Sequence, residues 1–312
     1  MSRPEASFRK TPIVLALVLS LLLVLGVLIG AKVVYERVAQ QPVAMPALDS
    51  PEAESQECQQ LIDALPEKLA GHKRAELADP APAGAAAWAS SSTERMTLRC
   101  GVSTPLQYTE ITPLHEVDGI EWMRVDDATP GSSLHTWFAV NRTPLVALTG
   151  DDVALDEQPA PLDALTPALN QLKDKALKPH ALPLADVATQ ASKSCDALLG
   201  NLPETLGEDL KATNTSLAQT KAWTAYGKEP VVLRCGVPFP KEYKAGVQLQ
   251  QVDGVPWFEN TILGNGTTAS TWYPMGRDVV VAVSMPADGN QVLVQLTKAI
   301  KQQTKALDQS ER

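Results

Sequence analysis

The side chains with the most chemistry to offer are four cysteines, Cys58, Cys100, Cys195 and Cys235, the only ones in the chain. No two stand in a Cys-x-x-Cys arrangement, so neither a zinc knuckle nor a thioredoxin-like dithiol has the spacing it needs. They fall instead into two similarly spaced pairs, Cys58 with Cys100 and Cys195 with Cys235, the pattern of a disulfide framework. Bridging each pair closes a loop of roughly 40 residues, worth about 4 kcal/mol in the chain-entropy account. Such bridges persist on the oxidising side of a membrane.

Four arginines are the next candidates. Arg99 and Arg234 stand inside a stretch written twice, Leu98-Arg99-Cys100-Gly101-Val102 and Leu233-Arg234-Cys235-Gly236-Val237. Arg142 and Arg277 each follow a Thr-Trp pair that ends in Trp137 or Trp272. A guanidinium near an indole stacks on its face or forks onto a carboxylate, so these six residues form the candidate ligand-binding set. The competing reading is an intradomain contact. Asp118-Gly119 and Asp253-Gly254 resemble paired carboxylates, but Asp-Gly between short apolar runs is a hairpin turn. His72, His115, His135 and His180 have no histidine at the matching place and fit no helical metal spacing. With no Gly-rich phosphate loop, serine elbow or His-Glu zinc helix, no catalytic residue, cofactor or metal is assigned.

The elements that must position these residues come as a tandem repeat. All six tryptophans fall into three matched pairs, Trp88 with Trp223, Trp122 with Trp257 and Trp137 with Trp272. Repeat one carries two extra residues, placed in the stretch 78–84. An opening helix is expected from Cys58, Leu61, Ile62, Leu65 and Leu69, and from Cys195, Leu198, Leu199, Leu202 and Leu206, with Pro66 or Pro203 kinking it or starting another. In the repeated stretch Leu98 and Cys100 alternate with Arg99 and Gly101, as in a half-buried strand. Its cysteine then faces the core and pins the strand to the opening helix, while the arginine faces outward. A hairpin at each Asp-Gly and two further strands follow, at 134–140 with 145–148 and 270–274 with 279–283, with Arg142 or Arg277 in the turn. A closing helix is read from Leu162, Leu165, Leu169 and Leu172, and from Leu293, Leu296, Ile300 and Leu307. The expected fold class is α+β: two homologous domains, each a small antiparallel sheet of about four strands with flanking helices.

Residues 13–31 carry no charge. As a helix they span about 28 Å, close to the ~30 Å hydrocarbon core of a bilayer. The run exceeds the roughly 7–15 apolar residues of a cleaved signal peptide, so an uncleaved signal anchor is expected. Arg3, Arg9 and Lys10 before it, against Lys32, Arg37 and Glu36 after it, favour the N-terminus inside. The expected organisation is a cytoplasmic tail 1–12, a transmembrane helix 13–34, a Pro-rich stalk 35–57, repeat domain 58–178, linker 179–190, repeat domain 191–308 and tail 309–312. Residues 35–312 are then extracytoplasmic. The net charge of −9 without basic runs argues against nucleic acid as a partner.

In its early Cys followed by Leu-Pro, its upstream Trp, Leu-Arg-Cys-Gly-Val, Val-Asp-Gly-x-x-Trp and late Trp-x-x-x-x-Arg, the chain resembles the actinobacterial domain-of-unknown-function family 3515. The resemblance covers both repeats and implies a bacterial envelope address and no catalytic residues. The functional expectation is a single-pass, non-catalytic binding or scaffolding module of the cell envelope, its partner an envelope protein or a cell-wall component. Two copies of a binding unit gain avidity without new contacts. The alternatives are an envelope enzyme with its site between the repeats, using Arg142, Arg277 and nearby carboxylates, and an anchor that pairs with a membrane complex regulated by the ectodomains.

Overall fold

The computed structural model describes residues 10–39, 41–155, 159–244, 246–261, 267–286 and 289–307. The expected tail as far as residue 9 and the tail 309–312 lie outside the described residues. Helix α1 (Lys10–Ala39) is continuous. Its window Ile13–Lys32 has a mean hydropathy of 3.1 and none of it is buried in the protein, so it is long and apolar enough to cross a membrane.

The first repeat starts with α2 (Gln56–Ala64), capped by Ser55 Oγ, which accepts a hydrogen bond from Cys58 N. Strands β1 (Lys68–Leu69), β2 (His72–Ala75), β3 (Ala85–Ala89) and β4 (Arg95–Cys100) follow. Then come β5 (Leu114–Val117), β6 (Ile120–Asp126), β7 (Leu134–Ala139), β8 (Arg142–Thr143) and β9 (Val146–Asp151). Helix α3 (Asp152–Leu155), a 3-10 turn at Asp163–Leu165, α4 (Thr166–Leu169) and β10 (Lys173–Asp174) close the unit. The second repeat runs α5 (Lys193–Gly200), β11 (Thr205–Leu206), β12 (Leu210–Thr213), β13 (Thr220–Thr224) and β14 (Val231–Cys235). It continues with β15 (Gln250–Val252), β16 (Val255–Asn260), β17 (Ala269–Pro274), β18 (Val281–Pro286) and α6 (Asn290–Gln303).

Each repeat builds an eight-stranded antiparallel sheet, not one of about four strands, with the orders β1-β2-β3-β4-β9-β7-β6-β5 and β11-β12-β13-β14-β18-β17-β16-β15. The extra strands lack the alternation that marks a half-buried strand. Strands β1 and β2 are a short hairpin, and all five residues of β3 (Ala-Ala-Ala-Trp-Ala) are buried. The opening helices also stop earlier than their apolar spacing suggests. Each ends before its proline, and Leu69 and Leu206 belong to β1 and β11. The proline carbonyl has a specific use, since Trp88 Nε1 donates to Pro66 O and Trp223 Nε1 to Pro203 O, both at 2.8 Å.

The closing helix forms in full only in the second repeat, where α6 has 14 residues. In the first, Pro167 falls at the start of α4, where a missing N–H costs nothing, so the chain makes a 3-10 turn and one new turn of helix. At the Asp-Gly hairpins, Asp118 and Gly119 have φ of 49° and 77°, and Asp253 and Gly254 47° and 77°, as a two-residue turn with both central residues left-handed requires.

One face of each sheet packs on the helices. Cys58, Leu61, Trp88, Leu98, Trp122, Leu148, Leu165 and Leu169 share one core. Cys195, Leu198, Trp223, Leu233, Trp257, Val283, Leu296 and Ile300 share the other. The disulfides Cys58–Cys100 and Cys195–Cys235 join the opening helix to the central strand in each core.

The segments expected as a free stalk and a linker lie against the sheets instead. Val43 N donates to Glu76 O and Ala78 N to Val43 O, and Val43 is buried against Ala87 and Ala89. Leu182, Leu184 and Val187 pack on the second sheet. A proline-rich segment without apolar period gives no pattern that separates a packed strap from a spacer.

Candidate functional site

Arg99 and Arg234 project from β4 and β14 on the face away from the helices, yet both are buried. Each guanidinium is covered by a strap of preceding chain. Arg99 Nη2 donates to Pro46 O. Arg234 Nη1 donates to Leu184 O, Ala185 O and Val187 O at 2.5, 3.1 and 2.7 Å, and Nη2 reaches Ala218 O at 3.4 Å. Burial draws both guanidinium pKa values below the ordinary one. The glycine two residues on lets the strap pass. Gly101 and Gly236 have φ of 79° and 74°, and a Cβ there would stand 2.3 Å from Glu52 C and 1.9 Å from Gln190 O. Strap and sheet are joined by Glu52 N donating to Gly101 O and Gln190 N to Gly236 O.

Arg142 and Arg277 hold the other end of each repeat. Arg142, in β8 rather than a turn, donates to Asn141 O, Asn170 Oδ1 and Gly119 O, and pairs with Asp174 at 3.3 Å. Arg277 donates through Nε to Thr304 Oγ1 at 2.8 Å and through Nη2 to Thr304 O and Lys301 O. Trp137 and Trp272 are buried in the two cores. The six candidate ligand-binding residues are thus not brought together in one place. The histidines are dispersed as well. His72 is buried, donating through Nε2 to Ala154 O at 2.6 Å; His135 bonds Asp126 at 2.7 Å and His180 reaches Thr104 O. His115 meets the Tyr226 ring edge-on. Among the described residues, no three His, Cys, Asp or Glu are grouped to hold a metal ion.

Between strap and sheet each repeat encloses a groove. In the first it has a volume of ≈ 700 Å³, walled by Met45, Pro46 and Leu48 and floored by Thr97, Thr136, Phe138 and Thr149. In the second it is ≈ 400 Å³, walled by Leu182, Pro183 and Ala185 over Thr271 and Ser284. The strap walls correspond, as do Thr136 with Thr271 and Thr149 with Ser284, so the grooves share part of their lining, whereas Val232 and Tyr273, the counterparts of Thr97 and Phe138, are packed in apolar clusters of the second repeat. The second is narrowed because Leu106, Gln107 and Thr109 of the first repeat line it.

That narrowing belongs to the contact between the repeats. His180 N donates to Tyr108 O, and Ile111 packs with Leu182, Ala222 and Val232. The Glu110 carboxylate accepts from Ser216 Oγ at 2.8 Å and from Ser216 N and Thr215 Oγ1 at 3.1 Å. Hydrogen bonds from the Ser216 side chain, then its backbone, hold the Glu110 pKa below the usual carboxylate value. Arg124 lies 4.6 Å from the Tyr226 ring centroid, and Asp126 N donates to Gly227 O. Beside this contact a cleft of ≈ 530 Å³ gathers Asp126, Asp127, Glu208, Asp209 and Glu229 with Lys228.

Sequence reasoning missed the grooves, because their lining comes from nonadjacent strands and from a strap that looks like a spacer. A signal was available: Pro42, Pro46, Asp49 and Ser55 precede Cys58 as Pro179, Pro183, Asp186 and Ser192 precede Cys195.

No curated protein and no solved structure matches the chain. One family model matches it twice, over residues 17–177 and 168–308, and the second match takes in the whole strap of the second repeat. The chain therefore belongs to the family described as protein of unknown function (DUF3515), present here as a tandem duplication.

Proposed function

We propose that the protein is a single-pass membrane protein with its N-terminus in the cytoplasm, presenting two disulfide-stapled domains as a non-catalytic binding or scaffolding module of the cell envelope. The domains begin at the straps, near residues 42 and 179, and the four repeated arginines are clasps that hold the two ends of each domain. The open groove of the first repeat is the docking site. The observation that carries this reading is the groove between strap and sheet, which recurs in part in the second copy and has ≈ 700 Å³ in the first. That size lies within the range of small-molecule and side-chain pockets, about 300–1,000 Å³. Filling it with Thr136→Trp, with folding checked by the thermal midpoint, should abolish recovery of envelope components on the full-length protein. Unchanged recovery would move the docking site elsewhere.

One observation favours a second reading, an envelope enzyme acting in the cleft between the repeats. The cleft collects five carboxylates and Lys228 in one place, and grouped ionisable residues in a pocket are active-site material. Asp209 pairs with Lys228 at 2.8 Å, and Glu229 accepts from Gln107 and Thr268. Turnover of cell-wall material that disappears in Glu208→Gln would support this reading, and turnover unaffected by any carboxylate substitution in the cleft would end it.

A further inference from the structure

The two grooves differ in what borders them. Helix α1 ends at Ala39, and Val43 is already bonded to the first sheet. Beyond Lys32 the helical residues 33–39 rise about 10 Å, and the chain from Ala39 to Val43 reaches at most about 14 Å. The strap wall of the first groove therefore starts within about 25 Å of the end of the apolar span.

The rims differ in the same sense. Leu48 and Leu134 stand at the mouth of the first groove with 60% and 41% of their surface exposed. Their counterparts at the second groove are Ala185 and Ala269. Large apolar side chains held open to solvent around a cavity mark a binding surface, and in the copy next to the membrane the repeat's own strap and sheet supply two of them. Below them the floor offers Phe138, Ala147, Thr97, Thr136 and Thr149. The Thr136 and Thr149 hydroxyls bond each other at 3.0 Å, so both are already partnered. The second groove has Ala185 and Ala269 at these places and is lined by a loop of the neighbouring repeat, which brings Leu106, 42% exposed, to it.

We propose that the first groove holds the hydrocarbon chain of a membrane amphiphile, taken from the outer leaflet of the membrane that α1 spans. This rests on the groove being the docking site and on α1 spanning the membrane. The energetics are those of moving apolar chain between two apolar environments, so exchange with the bilayer is reversible and selectivity comes from groove shape.

The test uses the full-length protein in vesicles of phosphatidylethanolamine and phosphatidylglycerol containing a phosphatidylglycerol with a diazirine in its acyl chain. Illumination should label residues of the strap 42–53 and of the strands carrying Leu134 and Thr149, in addition to α1. Leu48→Asp with Leu134→Asp should lower ectodomain labelling at least ten-fold and leave α1 labelling unchanged. Both side chains are exposed, so the fold survives, which the thermal midpoint checks. Labelling confined to α1, or ectodomain labelling unaltered in the double variant, would overturn the proposal. If labelling is confined to α1 while Thr136→Trp still abolishes recovery of an envelope component, the docking reading stands and the amphiphile is wrong.

Discussion

Trp257 donates its indole N–H to Thr297 Oγ1 at 3.0 Å, buried between sheet and closing helix of the second repeat. Trp122 and Thr166 occupy the matching places in the first, and neither Trp122 Nε1 nor Thr166 Oγ1 has a partner among the described residues. The same two residue types meet in one copy and not in the other because Thr297 lies inside α6, whereas Thr166 starts the short α4 behind a 3-10 turn.

The difference predicts an asymmetry. Thr297→Val leaves a buried indole N–H unbonded and should cost about 1–2 kcal/mol. Thr166→Val removes no bond and should change stability by no more than about 0.5 kcal/mol. Denaturant melts of the oxidised protein measure both, and equal losses would show that the two copies are closed alike.

Arg234→Ala strips the second strap of its side-chain clasp. Hydrogen bonds from a charged donor to buried carbonyls are each worth about 1.5–3 kcal/mol, so the loss should be about 2–3 kcal/mol or more. Amide exchange should locate it, with Gln190 N, bonded to Gly236 O, losing protection before the strands do. Arg234→Lys should restore the clasp only in part, because a single ammonium can face the strap carbonyls but gives up the Nη2 bond to Ala218 O. Protection of Gln190 preserved in Arg234→Ala would make the arginine dispensable.

Acid should loosen the contact between the repeats. The Glu110 pKa is lowered in the folded protein by the Ser216 bonds. Its contribution is therefore fully present above the ordinary carboxylate pKa and is lost as pH falls through the lowered value. Because the carboxylate is largely exposed the effect is small and screened by salt. Amide exchange at Ser216 N, which donates to Glu110, should quicken modestly on acidification, and Glu110→Gln should exchange faster at neutral pH. Identical exchange at Ser216 in both proteins across the pH range would exclude Glu110 from the contact.

Alkylation of intact cells tests compartment and bridges together. No cysteine should react before reduction, and all four should react after reduction and unfolding by an impermeant reagent applied from outside. Thiols that react without reductant would contradict the bridges, and thiols reached only after lysis would contradict the outside location.

What could be read from the chain was what repeats with a period. Leu98 and Cys100 alternate with Arg99, and the strand, its core face and the helix-to-strand pinning follow from that. Strand β3 was not legible because alanine fills both of its faces and carries no alternation. In the first repeat Leu162, Leu165 and Leu169 keep a helical spacing that Pro167 prevents from forming one helix. Alternation places Arg99 and Arg234 on the outward face without saying what covers that face. The covering strap bonds through backbone groups, which any sequence supplies, so its matching prolines, aspartate and serine are its trace in the sequence. The groove inherits that obscurity, being walled by the strap and floored by three strands distant in sequence.

The claim that the first groove is where the protein does its work is tested most directly by a photoreactive amino acid placed at position 134, with position 294 as control. Leu134 lies at the groove mouth and Val294, 54% exposed, sits on α6 of the other repeat. Illumination of intact membranes should give a discrete covalent adduct from position 134 that Thr136→Trp abolishes, and none from position 294. Equal adducts from both positions, or an adduct from 134 that survives filling of the groove, would contradict the account.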